Sequence, residues 1–236
     1  MVKFWVGFAL LIAAIAVFSH WHGPLIGDPL DLHFSSARDS DERGSGVARS
    51  ETRQLEAFGS IHAEGASLLE VEVKDGLAHS VEIGADDNLL QWVRTEVRAG
   101  VLEISPAVSM SPVADLKIKV TAPALSSIHL EGANRLKLDI DTTGDLDVHL
   151  EGAGRMNASG RVGRLVVRSE GAGSIEALEL VARAVDVRIE GAGRADVHAT
   201  ESLKARIEGA GIIRYAGNPK DVDKDVEGFG RISRAE

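Results

Sequence analysis

The residues best placed to do chemistry recur in columns. Glu131, Glu151, Glu170, Glu190, Glu208 and Glu227 follow one another at intervals of 20, 19, 20, 18 and 19 residues. Two positions before them stand His129, His149, Arg168, Arg188, Arg206 and Asp225. Carboxylates and imidazoles at regular spacing can titrate, bind cations or exchange protons with a substrate. General acid–base catalysis, however, needs a unique desolvated group with a displaced pKa. Here every acid that stands out belongs to a repeating set. Calcium-binding repeats place Asp inside their glycine turns, and these turns have none. His129 and His149 fall on adjacent repeats, where surface packing is the expected role. His20-Trp21-His22 offers two imidazoles with no third ligand in view. A nucleophile elbow and a His-Glu-x-x-His pair are both missing. With no cysteine in the chain, thiolate metal sites, disulfides and a lipidated-cysteine anchor are excluded. No catalytic, cofactor-binding or metal-binding residue is assigned on this reading.

Each Glu opens a short motif, Glu-Gly-Ala-Gly, whose glycines are Gly132, Gly152 and Gly154, Gly171 and Gly173, Gly191 and Gly193, Gly209 and Gly211, and Gly228 and Gly230. The first copy carries Asn134 in the fourth place, and the last has Phe229 in place of Ala. A phosphate-cradling loop needs a helix N-terminus after its glycines, whereas strand-like alternation follows these. They are therefore expected to be structural corners. Asn is among the side chains most tolerant of positive φ, so Asn134 predicts that the fourth place is left-handed. A column of glutamates ~4.8 Å apart repels by roughly 1 kcal/mol per neighbouring pair in water. Arg135, Arg155, Arg194 and Arg231, which follow four of the motifs, and the neighbouring His/Arg column are expected to offset this. The result is a solvated, charge-balanced face with a further acidic position at Asp147, Asp186 and Asp223.

The elements that carry these columns follow from period-two alternation. Apolar residues stand one, three and five places before each Glu, as at Leu150, Val148 and Leu146 or Ile189, Val187 and Val185. After the motif, Leu136 with Leu138, Ile175 with Ala177, and Ala195 with Val197 point inward again. Each unit thus reads strand, corner, strand, corner, and a period near 19 predicts a stacked β-solenoid over ~125–236. Residues ~50–125 are strand-rich without a strict period, with an isolated Glu64-Gly65-Ala66 hinting that the corner motif begins there. Aromatics make up only 4%, so a narrow core of Val, Ile, Leu and Ala is expected. Residues 1–19 pair one Lys with an apolar run, as a signal peptide or a short membrane anchor does. Residues 20–50 read as a flexible linker and 51–236 as the folded domain. A net charge of -10 argues against a nucleic-acid partner.

Phe58-Gly59-Ser60-Ile61, Val81-Glu82-Ile83, Asp87-Asn88-Leu89-Leu90, Thr95-Glu96-Val97, Val101-Leu102-Glu103-Ile104, Val120-Thr121-Ala122-Pro123-Ala124-Leu125 and the Gly-x-Gly repeats together resemble a bacterial family, the putative autotransporter adhesin, head GIN domain. The resemblance spans about Arg53 to Glu236. It implies an all-β, right-handed parallel β-helix with Gly-x-Gly corners, preceded here by an N-terminal hydrophobic helix. It also implies a non-catalytic extracytoplasmic envelope or surface protein that meets a protein or glycan ligand. The membrane is a further expected partner, through the N-terminal segment, if that segment is not cleaved. A polysaccharide-binding or polysaccharide-cleaving enzyme of pectin-lyase-like architecture is the first alternative; a structural membrane-tethered envelope protein is the second. Because Lys224 and Arg234 break the inward apolar pattern, Phe229 is expected to plug the open end of the solenoid.

Overall fold

A strand whose alternate side chains are apolar is stable only when one face is covered, and these strands cover one another by coiling. The computed structural model describes residues 41–235. Among them the chain is all-β apart from one 3-10 turn at Leu90–Trp92, and it winds into a β-solenoid of about five turns. Residues 1–19, and with them the expected helix, signal or anchor, lie outside the described residues.

Two stacks of strands face each other. One contains Val93–Arg98, Val101–Pro106, Ser60–Gly65, Ser127–Gly132 and Leu146–Gly152. It continues through the C-terminal parts of Arg155–Gly171, Ser174–Gly191 and Arg194–Gly209 to Asp221–Gly228. The other contains Ala48–Arg53, Ser80–Asp86, Lys117–Ala122, Leu68–Lys74 and Arg135–Asp141. The N-terminal parts of the same three long strands follow, then Ile212–Ala216 and Arg231–Arg234. Pairing along both stacks is parallel, except where Ser80–Asp86 pairs with Ala48–Arg53 and with Lys117–Ala122, and where Val93–Arg98 pairs with Val101–Pro106. The core between the stacks is the narrow aliphatic one expected: Leu146, Val148, Leu150, Leu136, Leu138, Ile175, Val187, Ile189 and Val197 are all buried.

The order of turns in space is not the order in sequence. Ser60–Gly65 lies between Val101–Pro106 and Ser127–Gly132. The chain builds this turn, leaves it to make the antiparallel strands, adds a turn on one side, and then crosses to continue on the other. Ser60 consequently stands opposite Ser127, with Glu64 opposite Glu131 and Gly65 opposite Gly132. The folded body also starts earlier than residue 51: Glu42–Arg43 pairs with Met110–Ser111, and Ala48–Arg53 pairs with Ser80–Asp86. What holds this segment is Asp86, which is buried. Its carboxylate accepts the backbone N–H of Gly46 at 2.7 Å, of Val113 at 2.9 Å and of Ala114 at 3.1 Å.

Two expectations about the corner are corrected. The left-handed place is the second of the motif, not the fourth. The glycine that follows each Glu has φ between +99° at Gly65 and +123° at Gly209, and among the described residues the sole non-glycine with positive φ is Ala99. Each strand of the first stack ends at this glycine, and the next strand begins at the third residue beyond, as in Ser127–Gly132 and Arg135–Asp141. Asn134 stands in the fourth place for another reason. It is buried, its Oδ1 accepts from Ser67 N at 3.1 Å and Ser67 Oγ at 2.9 Å, and its Nδ2 donates to Glu131 O at 2.8 Å. It ties together polar groups of two adjacent turns, which a glycine has no side chain to do.

The second correction concerns Phe229, which is 94% exposed and plugs nothing. The terminal strand Asp221–Gly228 is exposed along its whole length. Lys224 takes the place opposite Ala205 and reaches over the Tyr215 ring, 4.7 Å from its centroid. A flexible cation on an aromatic face, rather than the phenyl ring, covers part of that last turn.

Candidate functional site

Strand register determines which charges meet. Because the stack pairs residue for residue, Glu64, Glu131, Glu151, Glu170, Glu190, Glu208 and Glu227 form one continuous column. Beside it run His62, His129, His149, Arg168, Arg188, Arg206 and Asp225. Glu64 and His62 are the members that the 19-residue period misses. The signal for them is present in the sequence: Ser60-Ile61-His62-Ala63-Glu64-Gly65 repeats Ser127-Ile128-His129-Leu130-Glu131-Gly132 with one change. The repeat lies 67 residues away because the antiparallel excursion intervenes.

The three imidazoles stack face to face. The rings of His62 and His129 have centroids 4.8 Å apart at an interplanar angle of 23°, and those of His129 and His149 are 4.6 Å apart at 19°. Each Nε2 sits between two carboxylates. His62 Nε2 lies 3.1 Å from Glu131 Oε1 and 4.0 Å from Glu64 Oε1. His129 Nε2 lies 3.2 Å from Glu151 Oε1 and 3.6 Å from Glu131 Oε1. His149 Nε2 lies 3.1 Å from Glu170 Oε1 and 3.6 Å from Glu151 Oε1. With the proton on Nε2, each imidazole donates to the glutamate of the next turn. The next members of the column are guanidinium groups. Arg168 donates to Asp147 at 2.9 Å, and Arg188 reaches Glu190 and Glu208, both at 2.7 Å. The ladder therefore has a ligand-competent imidazole part at His62, His129 and His149, and a guanidinium part beyond it.

The Glu column is balanced by this neighbouring column and not by the arginines that follow the motif. Arg194 turns to Asp196 on the other stack, with Arg214 on the opposite side. Asp196, its side chain 7% exposed, accepts from Arg214 Nε at 2.7 Å and Nη2 at 2.6 Å, and from Arg194 at 3.2 and 3.3 Å. Arg214 holds its carboxyl below the usual carboxylate range, against the opposing effect of burial. For Asp86, burial pushes the pKa up, but the backbone N–H groups of Ala114, Val113 and Gly46 outweigh it and leave the pKa lowered. Neither buried acid is poised to hand over a proton near neutral pH.

A group whose folded pKa is depressed adds stability above its unfolded pKa and loses it as pH falls through the folded one. The melting temperature should therefore stay nearly level from about pH 7 to about pH 5 and fall below about pH 4. Asp196→Asn should show a smaller acid-induced loss than the parent. Melts followed by circular dichroism across this range check it, and a melting temperature that rises on acidification would contradict it.

Beside Asp196 the surface forms an open depression of about 730 Å³, lined by Lys137, Asn157, Glu176, Glu179 and Arg194 among others. Its acids are shared with arginines or open to solvent.

Residues 57–219 match the family model of the putative auto-transporter adhesin, head GIN domain. The chain belongs to this family. No curated protein matches it. Among solved structures, the GIN-domain chain is similar to a putative adhesin of Bacteroides fragilis, at 23% identity over 82% of this chain and 99% of the other, with a TM-score of 0.60. It is also similar to a putative lipid binding protein of Parabacteroides distasonis, at 22% identity over 82% and 99%, TM-score 0.49. A putative adhesin of Parabacteroides merdae follows at 18% identity over 82% and 98%, TM-score 0.47. The first of these likenesses shows a shared fold. Among the described residues of the GIN-domain chain, no helix is long and apolar enough to cross a membrane.

Proposed function

We propose that this GIN-domain protein is a non-catalytic, extracytoplasmic interaction module that presents its laddered charged face to a protein or glycan of the cell envelope or surface. The observation that carries this reading is the continuous register of the Glu and His/Arg columns on an exposed face. Side chains held ~4.8 Å apart on a rigid stack make a flat, pre-ordered surface that suits an extended partner. Membership in a family of putative adhesins supports the same reading. The coil is taken to be right-handed, as the resemblance implies, with Gly132, Gly152, Gly171, Gly191, Gly209 and Gly228 as its reversing corners and Asn134, Gly154, Gly173, Gly193, Gly211 and Gly230 as the close-packed places after them. Residues 1–19 direct the chain out of the cytoplasm, either as a cleaved signal or as a retained anchor.

The depression beside Asp196 favours a glycan-binding variant of this reading, since Lys137, Asn157 and Arg194 offer donors to sugar hydroxyl and carboxylate groups. An array of glycans and surface proteins, probed with the purified protein and followed by product analysis, tests both. Binding without turnover is expected. Release of shortened saccharides would overturn the non-catalytic reading, and absence of binding to every class would overturn the interaction module.

A further inference from the structure

We infer that the histidine ladder is a divalent transition-metal site that takes one ion per chain, with His129 as its obligatory ligand. Two candidate ligand sets are present: His62, His129 and Glu131, and His129, His149 and Glu151. Within each set the ligand atoms, two imidazole nitrogens and one carboxylate oxygen, lie within 4.8 Å of one another. Two imidazoles and a carboxylate are the donors that zinc takes in three-ligand sites, with water in the remaining place. Bonds of about 2.0–2.2 Å put ligand atoms some 3.3–3.5 Å apart around a tetrahedral ion. The 3.1 Å separation of His62 Nε2 from Glu131 Oε1 and the 3.6 Å separation of His129 Nε2 from the same oxygen are close to this spacing, while the two stacked rings, 4.8 Å apart, have to turn toward each other for both nitrogens to reach one ion. An ion binds the Nε2 lone pairs once each neutral imidazole has passed its proton through solvent from Nε2 to Nδ1, and it then takes the carboxylate that the Nε2–H had faced. The strands on which these side chains stand are hydrogen-bonded to one another, so little backbone has to move.

The site is exclusive by construction. Both ligand sets need the imidazole of His129, and its Nε2 serves one ion at a time. The outer pair, His62 and His149, stands two turns apart, about 9–10 Å, too far to share an ion. Beyond His149 the column continues as Arg168 and Arg188, which carry no lone pair for a metal. The ladder therefore begins and ends as a metal site within three turns. This inference is independent of the adhesion reading: the face can hold an ion whatever partner it meets.

Calorimetric titration of the full chain with Zn²⁺, paired with melts with and without the metal, tests the inference. One ion per chain and a zinc-dependent rise in melting temperature that a chelator reverses are expected. His62→Ala and His149→Ala should each retain binding through the remaining set. His129→Ala should lose it. His129→Arg repeats the residue found farther along the column, so it keeps the stack charged and folded and should also lose the site. If zinc binds His129→Arg as it binds the parent, or if no binding or thermal shift occurs up to millimolar zinc, the site does not exist. Two ions per chain, both lost with His62 and His149, would overturn the shared imidazole.

Discussion

Gly191→Val should destabilise the protein by about 3 kcal/mol or more, whereas Glu190→Ala beside it should cost at most about 1 kcal/mol. Gly191 has φ +111°, a conformation that costs a residue with a Cβ of order 1–3 kcal/mol. The added atom would also meet Gly171 O at 2.6 Å. That oxygen is no flexible end that can swing away: it accepts the backbone N–H of Ala192 at 2.8 Å. Overpacking against fixed backbone adds a further ~1–3 kcal/mol. Glu190, by contrast, is half-exposed and its ion pair with Arg188 is open to solvent, so its removal belongs to the weak class. In a fold of this size, 3 kcal/mol corresponds to about 6–12 °C in melting temperature. Thermal melts of the two variants give the ranking. A subtler comparison locates the reversal: Gly193 has no positive φ and its added Cβ would stand 3.0 Å from Gly173 O, so Gly193→Ala should cost less than Gly191→Ala. The opposite order would move the left-handed place back to the fourth position.

Truncating the core should cost more in the middle of the stack than at its end. Leu138 is buried, between Val71 on one turn and Ala158 on the next. Leu138→Ala removes its contacts and leaves a cavity that cannot collapse, because both neighbours are held by backbone pairing, and a loss of about 3 kcal/mol follows. Ile232 is only partly buried and pairs with Ile213 on one side alone. Ile232→Ala should cost less than about 1.5 kcal/mol. In a structure where each turn contacts only its neighbours, stability is close to a sum over turns. Amide exchange should therefore open Arg231–Arg234 and Asp221–Gly228 before Arg135–Asp141. Denaturant midpoints and exchange rates check both orders, and equal losses from the two truncations would mean that the stack unfolds without regard to position.

Much of this was legible because strand alternation and a fixed repeat are local signals. Leu146, Val148 and Leu150 declare their inward face by spacing alone, and Glu131, Glu151 and Glu170 declare their column by recurrence. Asn134 misled because tolerance of positive φ is a property of the residue type, while its actual place depends on Ser67 in another turn. Phe229 differs for a similar reason: an apolar ring at a strand end has no burial unless something packs on it, and the ring is 94% exposed, while Lys224 lies over Tyr215. Proximity in sequence pairs the arginines after the motif with the glutamates before it. The corner sends them to the opposite stack, where Arg194 meets Asp196.

From its sequence alone, then, the chain is set to be a β-solenoid with an aliphatic interior, glycine-bearing corners and an alternating charged face. Each of those follows from residue types at short, regular separations. The tertiary structure decided which turns are neighbours. By inserting Ser60–Gly65 beside Ser127–Gly132, it brought His62 onto His129 and Glu64 beside Glu131, and made a pair of histidines into a stacked trio. Pairing across 67 residues is settled by which strand edges remain open when the chain returns, and that competition has no period for a sequence to display.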